Sequence, residues 1–367
     1  MKKENRTIII IEDSSKAKFG GGQKVTLSFL KVFNKYSIKV IMFDTARNSI
    51  FNLAACKYLK QSYNLYAFGK VKSGLFGKIY KLIEILLFPI MLIGNCIIVY
   101  IAIKYVENKV MYVTTKKSLL IAYCLNYCFK IPFIYHAHLV EKNFIVIFFL
   151  NKILTKAEKV IAVSYTVINS ISNCSNIVII PNSIDVTNRL KHRVLKRKVI
   201  VGLFASLIKI KGINYFIDSY NYLRNKDVYF WIYGDGSEMK KLIEKSNSNI
   251  IFKGFTDNTV NEMNNYIDIL CFPSVVEESF GISIIEAFSC GIPVITTNIG
   301  GQAELVDNDK DGYLVPIKSS AAIAEKIDFL IENPSIYMEI SENVIKKSKF
   351  YNIERIEQEI LNVFYKR

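Results

Sequence analysis

Short apolar runs alternate with helix-like segments along the first half of the chain. The runs cover residues 6–13, 38–44, 109–115, 131–138, 159–164 and 176–182. They are rich in β-branched residues and almost without polar positions, as is typical of strands buried on both faces of a parallel sheet. Segments with helical spacing, such as 25–33, lie between them. This alternation predicts an α/β fold with a parallel sheet.

The alternation begins again after a charged break at residues 191–198. Its apolar runs cover 199–206, 228–236, 249–255, 267–274 and 292–297. A chain of 367 residues is long enough for two domains of ordinary size. We therefore predict two open α/β sheets joined near residue 190. Ligands of such sheets bind beyond the carboxyl ends of the strands, so a cleft between the two domains is the expected site.

The segment 82–105 has no charged residue between Ile85 and Ile103, which approaches the length of a membrane span. Pro89, Gly94 and Asn95 interrupt it, however, and α/β alternation continues on both sides. A span at this place would divide one sheet across a bilayer. We therefore predict a buried or interfacial pair of helices, with a transmembrane helix as the alternative.

The net charge of +16 belongs to one part of the chain. Residues 1–190 contain 26 Lys and Arg against 9 Asp and Glu, whereas residues 191–367 contain 22 against 23. A one-sided basic charge indicates an anionic partner, either lipid or nucleic acid. No nucleic-acid-binding motif occurs in the basic half. The stretch 68–81 interleaves lysines with Phe and Tyr, which favours a lipid headgroup surface over an ordinary solvated face, although such faces are common.

Cysteine usage and the N-terminal sequence indicate the cellular compartment of the protein. The seven cysteines include no CxxC pair, and no histidine lies beside Cys124 and Cys128 to complete a zinc site. Free thiols in a reducing cytosol are the expectation. The first 15 residues contain only a short apolar run followed by Glu12 and Asp13, which predicts a first strand and not a signal peptide.

The segment 277–291, EESFGISIIEAFSCG, places Glu278 and Glu286 around the start of a predicted helix. A helix N-terminus presents free N–H groups to a phosphate, and Gly281 permits a ligand to approach the backbone. The carboxylates would repel an anion but accept hydrogen bonds from sugar hydroxyls. These residues fit a nucleotide-sugar site, or alternatively a surface acid and a helix-packing acid.

This segment resembles the E-x7-E signature of the retaining family 4 glycosyltransferases, which have the GT-B fold. Other pieces resemble stretches of that family in the same order. They are GGGQ (20–23), IPFIYHAH (131–138), VIAVS (160–164), IIPNSID (179–185), LIKIKG (207–212), YGDGSE (233–238) and GGQAELVDNDKDGYLV (300–315). The resemblance covers nearly the whole chain and is most specific over 199–315. It implies an α/β fold of two Rossmann-like domains that face each other across a cleft.

The resemblance also implies a domain for each task. Residues 1–190 would bind the acceptor and face a membrane, and residues 191–350 would bind the nucleotide sugar. The remaining stretch, 351–367, would be a C-terminal helix that can cross back to the first domain. The expected partners are a nucleotide-sugar donor, a lipid-linked saccharide acceptor and an anionic membrane surface, but no nucleic acid.

Three catalytic residues follow from the matching positions. His138 would touch the transferred sugar near its reacting carbon, Lys211 would neutralise the donor diphosphate, and Glu278 would hold the sugar. The donor-binding set would comprise Gly21, Gly22, Ser206, Lys211, Gly234, Phe280, Gly281, Ile282 and Glu286, with Glu286 on the ribose hydroxyls.

Each of these assignments has a structural alternative. Lys211 could be a solvated lysine at a helix start, and the glycines at 20–22 could form a mere turn. We expect His136 and His138 to point to opposite faces of their strand, so that one of them is a core histidine.

Two departures from the family pattern matter. Ser206 stands where the family usually has an Arg that holds the diphosphate, which weakens stabilisation of the leaving group unless Lys209 compensates. Ser183 stands where Gly is usual, which we interpret as a tolerated turn change. No DxD metal motif is evident, and we interpret the acidic run 307–311 as turn chemistry. The sequence therefore predicts metal-independent transfer without a cofactor.

We thus expect a cytoplasmic enzyme, peripheral at the inner face of the membrane, that moves a sugar to a lipid-linked acceptor in bacterial cell-surface polysaccharide synthesis. Two alternatives stay open. The first is a non-catalytic binding protein of the same fold, for which Ser206 is the only sign. The second is a nucleotide-sugar epimerase, which would leave the basic surface without a purpose.

Overall fold

The computed structural model describes residues 6–13, 20–46, 49–59, 61–66, 75–171, 176–184, 193–195 and 198–365, with backbone alone at 75–82. The chain forms two compact units. Unit 1 comprises Met1–Val163, Ile168–Ile180 and Glu357–Arg367, and unit 2 comprises Ser164–Val167 and Pro181–Ile356. The basic-aromatic stretch 68–81 lies outside the described side chains, and the break at 191–198 is described only at 193–195 and 198.

Unit 1 is built on a parallel sheet of seven strands in the order β3-β2-β1-β4-β5-β6-β7. The strands are β1 (Thr7–Glu12), β2 (Val40–Asp44), β3 (Gln61–Asn64), β4 (Lys109–Val113), β5 (Phe133–Ala137), β6 (Lys159–Ala162) and β7 (Ile177–Ile179). Strand β1 is wholly buried, because helices cover both faces of the sheet and its apolar side chains pack on each side. The strand order reverses between β1 and β4, which creates a crevice at their carboxyl ends.

The helices of unit 1 follow the strands in alternation. They are α1 (Gly21–Lys35), α2 (Ile50–Cys56), α3 (Leu75–Ile103), α4 (Lys116–Phe129) and α5 (Phe144–Leu154), and α6 (Tyr165–Ser170) begins in unit 2. The last helix of the chain, α14 (Ile353–Phe364), has its residues from Glu357 onward in unit 1. There Phe364 packs edge-on against Phe33, 5.0 Å between ring centroids, and Glu357 pairs with Lys35 at 2.8 Å.

Helix α3 corrects the expectation of two helices here and of their burial. It is one continuous helix of 29 residues with Pro89 inside it. Its part from Ile83 to Ile103 is long and apolar enough to cross a membrane, by length and composition only, and just 11% of its most apolar window is buried. Pro89 lies on the exposed side of this helix, and Asn95 bonds the backbone N–H and C=O of Tyr66 on the buried side.

Unit 2 repeats the architecture with a six-stranded parallel sheet in the order β10-β9-β8-β11-β12-β13. Its strands are β8 (Val199–Phe204), β9 (Val228–Tyr233), β10 (Ile250–Gly254), β11 (Ile269–Phe272), β12 (Val294–Thr297) and β13 (Gly312–Val315). Its helices are α7 (Ile213–Tyr222), α8 (Met239–Lys245), α9 (Thr259–Tyr266), α10 (Ile282–Ser289), α11 (Gly300–Glu304), α12 (Ser320–Glu332) and α13 (Pro334–Ser348). Here the strand order reverses between β8 and β11.

The α/β prediction is confirmed, and each apolar run named from the sequence contains a strand. Strands β3 and β13 were missed. Strand β3 is a polar edge strand, Gln61–Asn64, whose side chains are mostly exposed, so no apolar run marks it. The acidic run 307–311 forms a turn before β13, as predicted, and Lys347 pairs there with Asp307 and Asp311. Every described cysteine is a free thiol.

Candidate functional site

A lysine and a carboxylate meet at the crevice of the unit 2 sheet. Lys211 Nζ lies 2.7 Å from Glu278 Oε1, and the Ser274 hydroxyl donates to the same oxygen at 2.7 Å. Lys211 follows β8 and Glu278 follows β11, the two strands between which the order reverses. Both side chains keep about a fifth of their surface exposed, 21% and 19%. The pair therefore presents one cation and one acceptor where ligands of such sheets bind.

The backbone around Lys211 explains why a glycine follows it. Residues Lys209–Lys211 form one turn of 3-10 helix that ends at Gly212, with φ +67°. A Cβ on Gly212 would lie 2.0 Å from the carbonyl oxygen of Pro273, so no other residue fits without moving the chain. The Val275 N–H also donates to the Ile210 carbonyl at 2.9 Å. These contacts fix Lys211 against the segment that follows β11.

The loop bearing Glu278 is held by the start of α11. The Gly301 N–H donates to the Glu278 carbonyl at 2.8 Å, and the Glu278 N–H donates to the Gln302 side chain at 2.9 Å. Gln302 is fully buried and donates in turn to the Val276 carbonyl at 3.1 Å. Added Cβ atoms on Gly300 and Gly301 would lie 2.5–2.6 Å from the backbone of this loop. The two glycines and Gln302 thus act as a backbone clamp on Glu278.

Helix α10 begins at Ile282 and carries Glu286 inward. Its N-terminus leaves the first backbone N–H groups without intrahelical partners, as any helix does. Phe280, just before it, is buried and packs edge-on against Tyr351 at 6.0 Å. A Cβ on Gly281 would meet the Ile284 side chain at 2.7 Å. Glu286 is only 7% exposed, which is unusual for a carboxylate unless it is paired.

Ser206 lies on a loop whose shape depends on Gly234. Gly234 has φ +139°, and a Cβ there would lie 1.8 Å from the Ala205 carbonyl oxygen. The Leu207 N–H donates to the Asp235 carbonyl at 3.0 Å, so both loops are fastened to each other. Ser206 is exposed at the tip. Gly234 therefore builds the loop, while Ser206 provides an open position without a positive charge.

In unit 1, the glycine-rich start of α1 lies beside His138. A Cβ on Gly22 would lie 3.7 Å from His138 Cδ2, and Gly21 is the first residue of α1. The Gly20 N–H donates to the Gln23 side chain at 2.8 Å, which caps the helix. Within the described residues, His138 Nε2 is buried and has no hydrogen-bond partner. This nitrogen is one of several buried polar atoms without a partner among the described residues, and His136 Nε2 is another.

The environment of His138 keeps its imidazole neutral. Burial lowers the pKa of His138 to about 4. A neutral imidazole next to the α1 N-terminus can exchange one hydrogen bond with a ligand without adding charge.

The expectation that His136 and His138 point to opposite faces is wrong. Their rings lie 4.0 Å apart, because residues two apart along an extended strand project to the same side. His136 is the core histidine. It is fully buried, and its Nδ1 lies 2.6 Å from the Tyr112 hydroxyl. Burial, with His138 nearby, lowers the pKa of His136 well below its usual value.

A pocket in unit 1 lies between the carboxyl end of β1 and the buried side of α3. Its lining includes Glu12, Asp13, Phe88, Asn95 and Lys117. Burial raises the pKa of Glu12 to about 7, although Thr114 and Thr26 donate hydroxyl hydrogen bonds to it.

The structure thus groups the predicted residues within each unit. Lys211 and Glu278 form one direct contact, and Phe280, Gly281, Ile282 and Glu286 continue the same segment. Gly21, Gly22 and His138 form the unit 1 group. Sequence reasoning missed Ser274 and Gln302, which fix Glu278. The conspicuous Gly-Gly-Gln at 300–302 was the available signal for Gln302.

Comparisons with known proteins identify a family and a fold that this chain resembles. Residues 187–347 match the sequence model of a family described as "Glycosyl transferases group 1". The capsular polysaccharide biosynthesis glycosyltransferase CapM of Staphylococcus aureus is 30% identical over 164 residues, which are 42% of this chain and 43% of that protein. The N,N'-diacetylbacillosaminyl-diphospho-undecaprenol alpha-1,3-N-acetylgalactosaminyltransferase of Campylobacter jejuni is 25% identical over 171 residues, 46% of this chain and 45% of that one. The chain therefore matches less than half the length of these two curated relatives.

A solved structure extends the likeness to the whole chain. The crystal structure of Anabaena Alr3699/HepE in complex with UDP has a TM-score of 0.78 and 20% identity. The match covers 96% of this chain and 98% of that one. Such a likeness at low identity shows the fold, and the predicted GT-B fold is confirmed.

Proposed function

We propose that this chain, whose residues 187–347 match the sequence model of the group 1 glycosyltransferases, transfers a sugar from a nucleotide diphosphate sugar to an acceptor hydroxyl. The observation that carries the proposal is the contact of Lys211 with Glu278 at the crevice between β8 and β11. It pairs a cation suited to a diphosphate with a carboxylate suited to sugar hydroxyls.

Each part of the donor has a matching group in unit 2. Lys211 and the N-terminus of α10 at Ile282 favour the diphosphate, since both carry positive charge. Glu278 accepts hydrogen bonds from the transferred sugar, and buried Glu286 accepts those of the ribose. In the ligand-free pair, Glu278 already neutralises Lys211. Donor binding therefore requires Lys211 to share its ammonium between the carboxylate and the phosphate.

The reaction breaks the bond between the anomeric carbon and the phosphate oxygen and forms a bond to the acceptor oxygen. The acceptor proton passes to the leaving diphosphate, and attack on the same face retains the anomeric configuration. Lys211 stabilises the negative charge that develops on the leaving group. We assign this role to Lys211 in place of a metal ion. For His138 of unit 1 we keep the role that the family resemblance implies, a hydrogen bond from a neutral imidazole to a sugar.

The acceptor that best fits the chain is a lipid-linked saccharide used in bacterial cell-surface polysaccharide synthesis. The Campylobacter jejuni relative has diphospho-undecaprenol in its name, and the Staphylococcus aureus relative is named for capsular polysaccharide. The excess of lysine and arginine in residues 1–190 supports attraction to anionic lipid. We therefore place the protein in the cytoplasm, peripheral at the inner face of the membrane.

The test is turnover by the purified full chain against a panel of nucleotide sugars, with and without undecaprenyl-diphosphate saccharides and with and without EDTA. We expect nucleoside diphosphate release from one donor family, accelerated by acceptor and unaffected by EDTA. NMR of the product should show the anomeric configuration of the donor. The matched pair is Glu286→Gln, which should lose activity, and Glu244→Gln, an exposed glutamate of α8, which should keep it.

The alternatives predict different results from the same experiment. A binding protein without catalysis would bind a nucleotide sugar but release no nucleoside diphosphate. An epimerase would convert the free donor to a second sugar in the absence of acceptor. Loss of turnover on adding EDTA, restored by a divalent cation, would contradict metal-independent transfer.

A further inference from the structure

Helix α3 is apolar on the side that packs against unit 1 and also on the side that is exposed to solvent, which is unusual for a helix of an α/β domain. Side chains that are more than half exposed recur on one face at spacings of four, three, four and four residues. They are Leu86, Ile90, Ile93, Ile97 and Ile101, and we call them the α3 stripe. The opposite face holds buried Asn95, Val99 and Ile103. The stripe is continuous over about 22 Å, and it is a patch that water-soluble surfaces rarely expose.

Helix α5 shows the same property over a shorter length. Its exposed residues Phe144, Phe148 and Phe149 are 78%, 55% and 58% exposed, while Leu150 and Leu154 are buried. The chain steps from β3 to β4, β5 and β6 in one direction along the sheet, opposite to its steps from β1 to β3. Right-handed crossovers then place α3, α4 and α5 together on one side of the sheet, and α1 and α2 on the other.

We infer that the α3 stripe and the exposed phenylalanines of α5 form a surface that embeds unit 1 shallowly in an anionic lipid bilayer, with α3 lying in the membrane plane. The inference deepens the proposed function, because it names the surface by which the protein would meet a lipid-linked acceptor.

The topology argues for an in-plane helix over a transmembrane one. Strand β3 precedes α3 and β4 follows it, and both strands belong to the same continuous sheet. A helix that crossed the bilayer would place these two strands on opposite sides, which the sheet forbids. An in-plane helix with its apolar side in the acyl boundary satisfies both the sheet and the stripe.

Lysines and aromatic rings at the borders of these helices favour lipid over a protein partner. Lys104 Nζ lies 4.7 Å from the Tyr105 ring at the end of α3, and Lys152 Nζ lies 4.7 Å from the Phe148 ring of α5. Aromatic bodies with cations beside them suit the headgroup level of a membrane. The stripe itself is wholly aliphatic, without the Tyr, Trp or Arg that typify protein interfaces. Residues 75–158 contain ten lysines against four glutamates, which complements anionic headgroups.

Vesicle flotation of the full chain tests this surface. Ile93→Asp/Ile97→Asp places two charges on the α3 stripe. Ile50→Asp/Leu53→Asp is the matched control, since these aliphatic residues of α2 are similarly exposed, 56% and 58%, on the other side of the sheet. We expect wild type to float with phosphatidylglycerol-containing vesicles and less with pure phosphatidylcholine. Part of the binding should persist at about 0.5 M NaCl, since apolar insertion is not screened.

The stripe variant should lose at least about tenfold in vesicle partitioning, because two charged groups oppose insertion, while the α2 control stays near wild type. Equal loss in both variants, or no flotation of wild type, would overturn the inference. A wild-type dimer in light scattering that the stripe variant alone abolishes would assign the surface to a second copy of the chain and overturn it as well. Calorimetry with nucleotide sugars separates the two proposals, since the stripe variant should bind donor like wild type.

Discussion

The clamp on Glu278 can be tested by adding a single methyl group. Gly300 has φ +62°, and its Cβ would lie 2.6 Å from Glu277 Cα and 2.9 Å from the Glu278 nitrogen. These are backbone atoms, so Gly300→Ala cannot be absorbed by a side-chain rotation. The loop that carries Glu278 must move away from α11.

Two costs add in this variant. A left-handed backbone angle costs an alanine about 1 kcal/mol relative to glycine, and overpacking adds about 1–3 kcal/mol. The chain contains a control that bears the first cost alone. Gly254 has φ +74°, and an added Cβ there meets nothing within 4 Å. We expect Gly254→Ala to lose about 1 kcal/mol of unfolding free energy and Gly300→Ala about 2–4 kcal/mol.

Thermal unfolding of both variants measures this difference. For a unit of this size, about 1 kcal/mol corresponds to a Tm shift of roughly 2–4 °C, so the Gly300→Ala shift should be about two to four times that of Gly254→Ala. Donor affinity by calorimetry should fall at least about tenfold in Gly300→Ala only, since a displaced Glu278 no longer meets the sugar. Equal Tm shifts together with unchanged donor affinity in both variants would refute the clamp.

Three further predictions concern charge. Burial raises the pKa of Glu12 to about 7 from its usual 4.5, so the folded protein holds an extra proton between these values. Unfolding free energy should therefore fall by up to about 3 kcal/mol as pH rises from 5 to 8, and denaturant titrations of Glu12→Gln should lack that fall. Lys211→Gln should lower turnover about 10²–10³-fold, with kcat affected more than KM in initial-rate assays, because the leaving diphosphate loses its cation. Ser206→Arg, at an exposed loop tip, should tighten nucleoside diphosphate binding in calorimetry by about tenfold or more, and unchanged binding would show that the position does not face the phosphates.

An element of the fold could be predicted from the sequence only where its hydrophobic pattern was distinctive. Strand β1, Thr7–Glu12, is a nearly unbroken apolar run, and burial on both faces leaves no other assignment. Strand β3 has a polar edge sequence, and only its pairing with β2 makes it a strand. One continuous helix α3 was not predicted, because Pro89, Gly94 and Asn95 suggested a break. Both sides of α3 are apolar, so the hydrophobic periodicity of the sequence cannot show which side is buried and which is exposed.

At the candidate site, too, some residues could be predicted from the sequence, whereas their contacts depended on the fold. Glu278 was picked from its local pattern and Lys211 from the family resemblance. The two residues are 67 positions apart, and only the sheet order brings their side chains to 2.7 Å. The shared orientation of His136 and His138 follows from the two-residue period of a strand and was open to prediction. The role of Gln302 was not, because it depends on a backbone N–H of a distant loop.

The central claim is that unit 2 binds a nucleotide sugar at the crevice between β8 and β11. Its most direct measurement is calorimetric titration of nucleoside diphosphates and their sugars into wild type, Lys211→Gln, Glu286→Gln and the surface control Glu244→Gln. We expect one nucleotide family to bind wild type and Glu244→Gln, and to bind the other two variants at least about tenfold more weakly. Equal binding by all four proteins, or no binding at millimolar donor, about the weakest affinity useful to an enzyme, would contradict it.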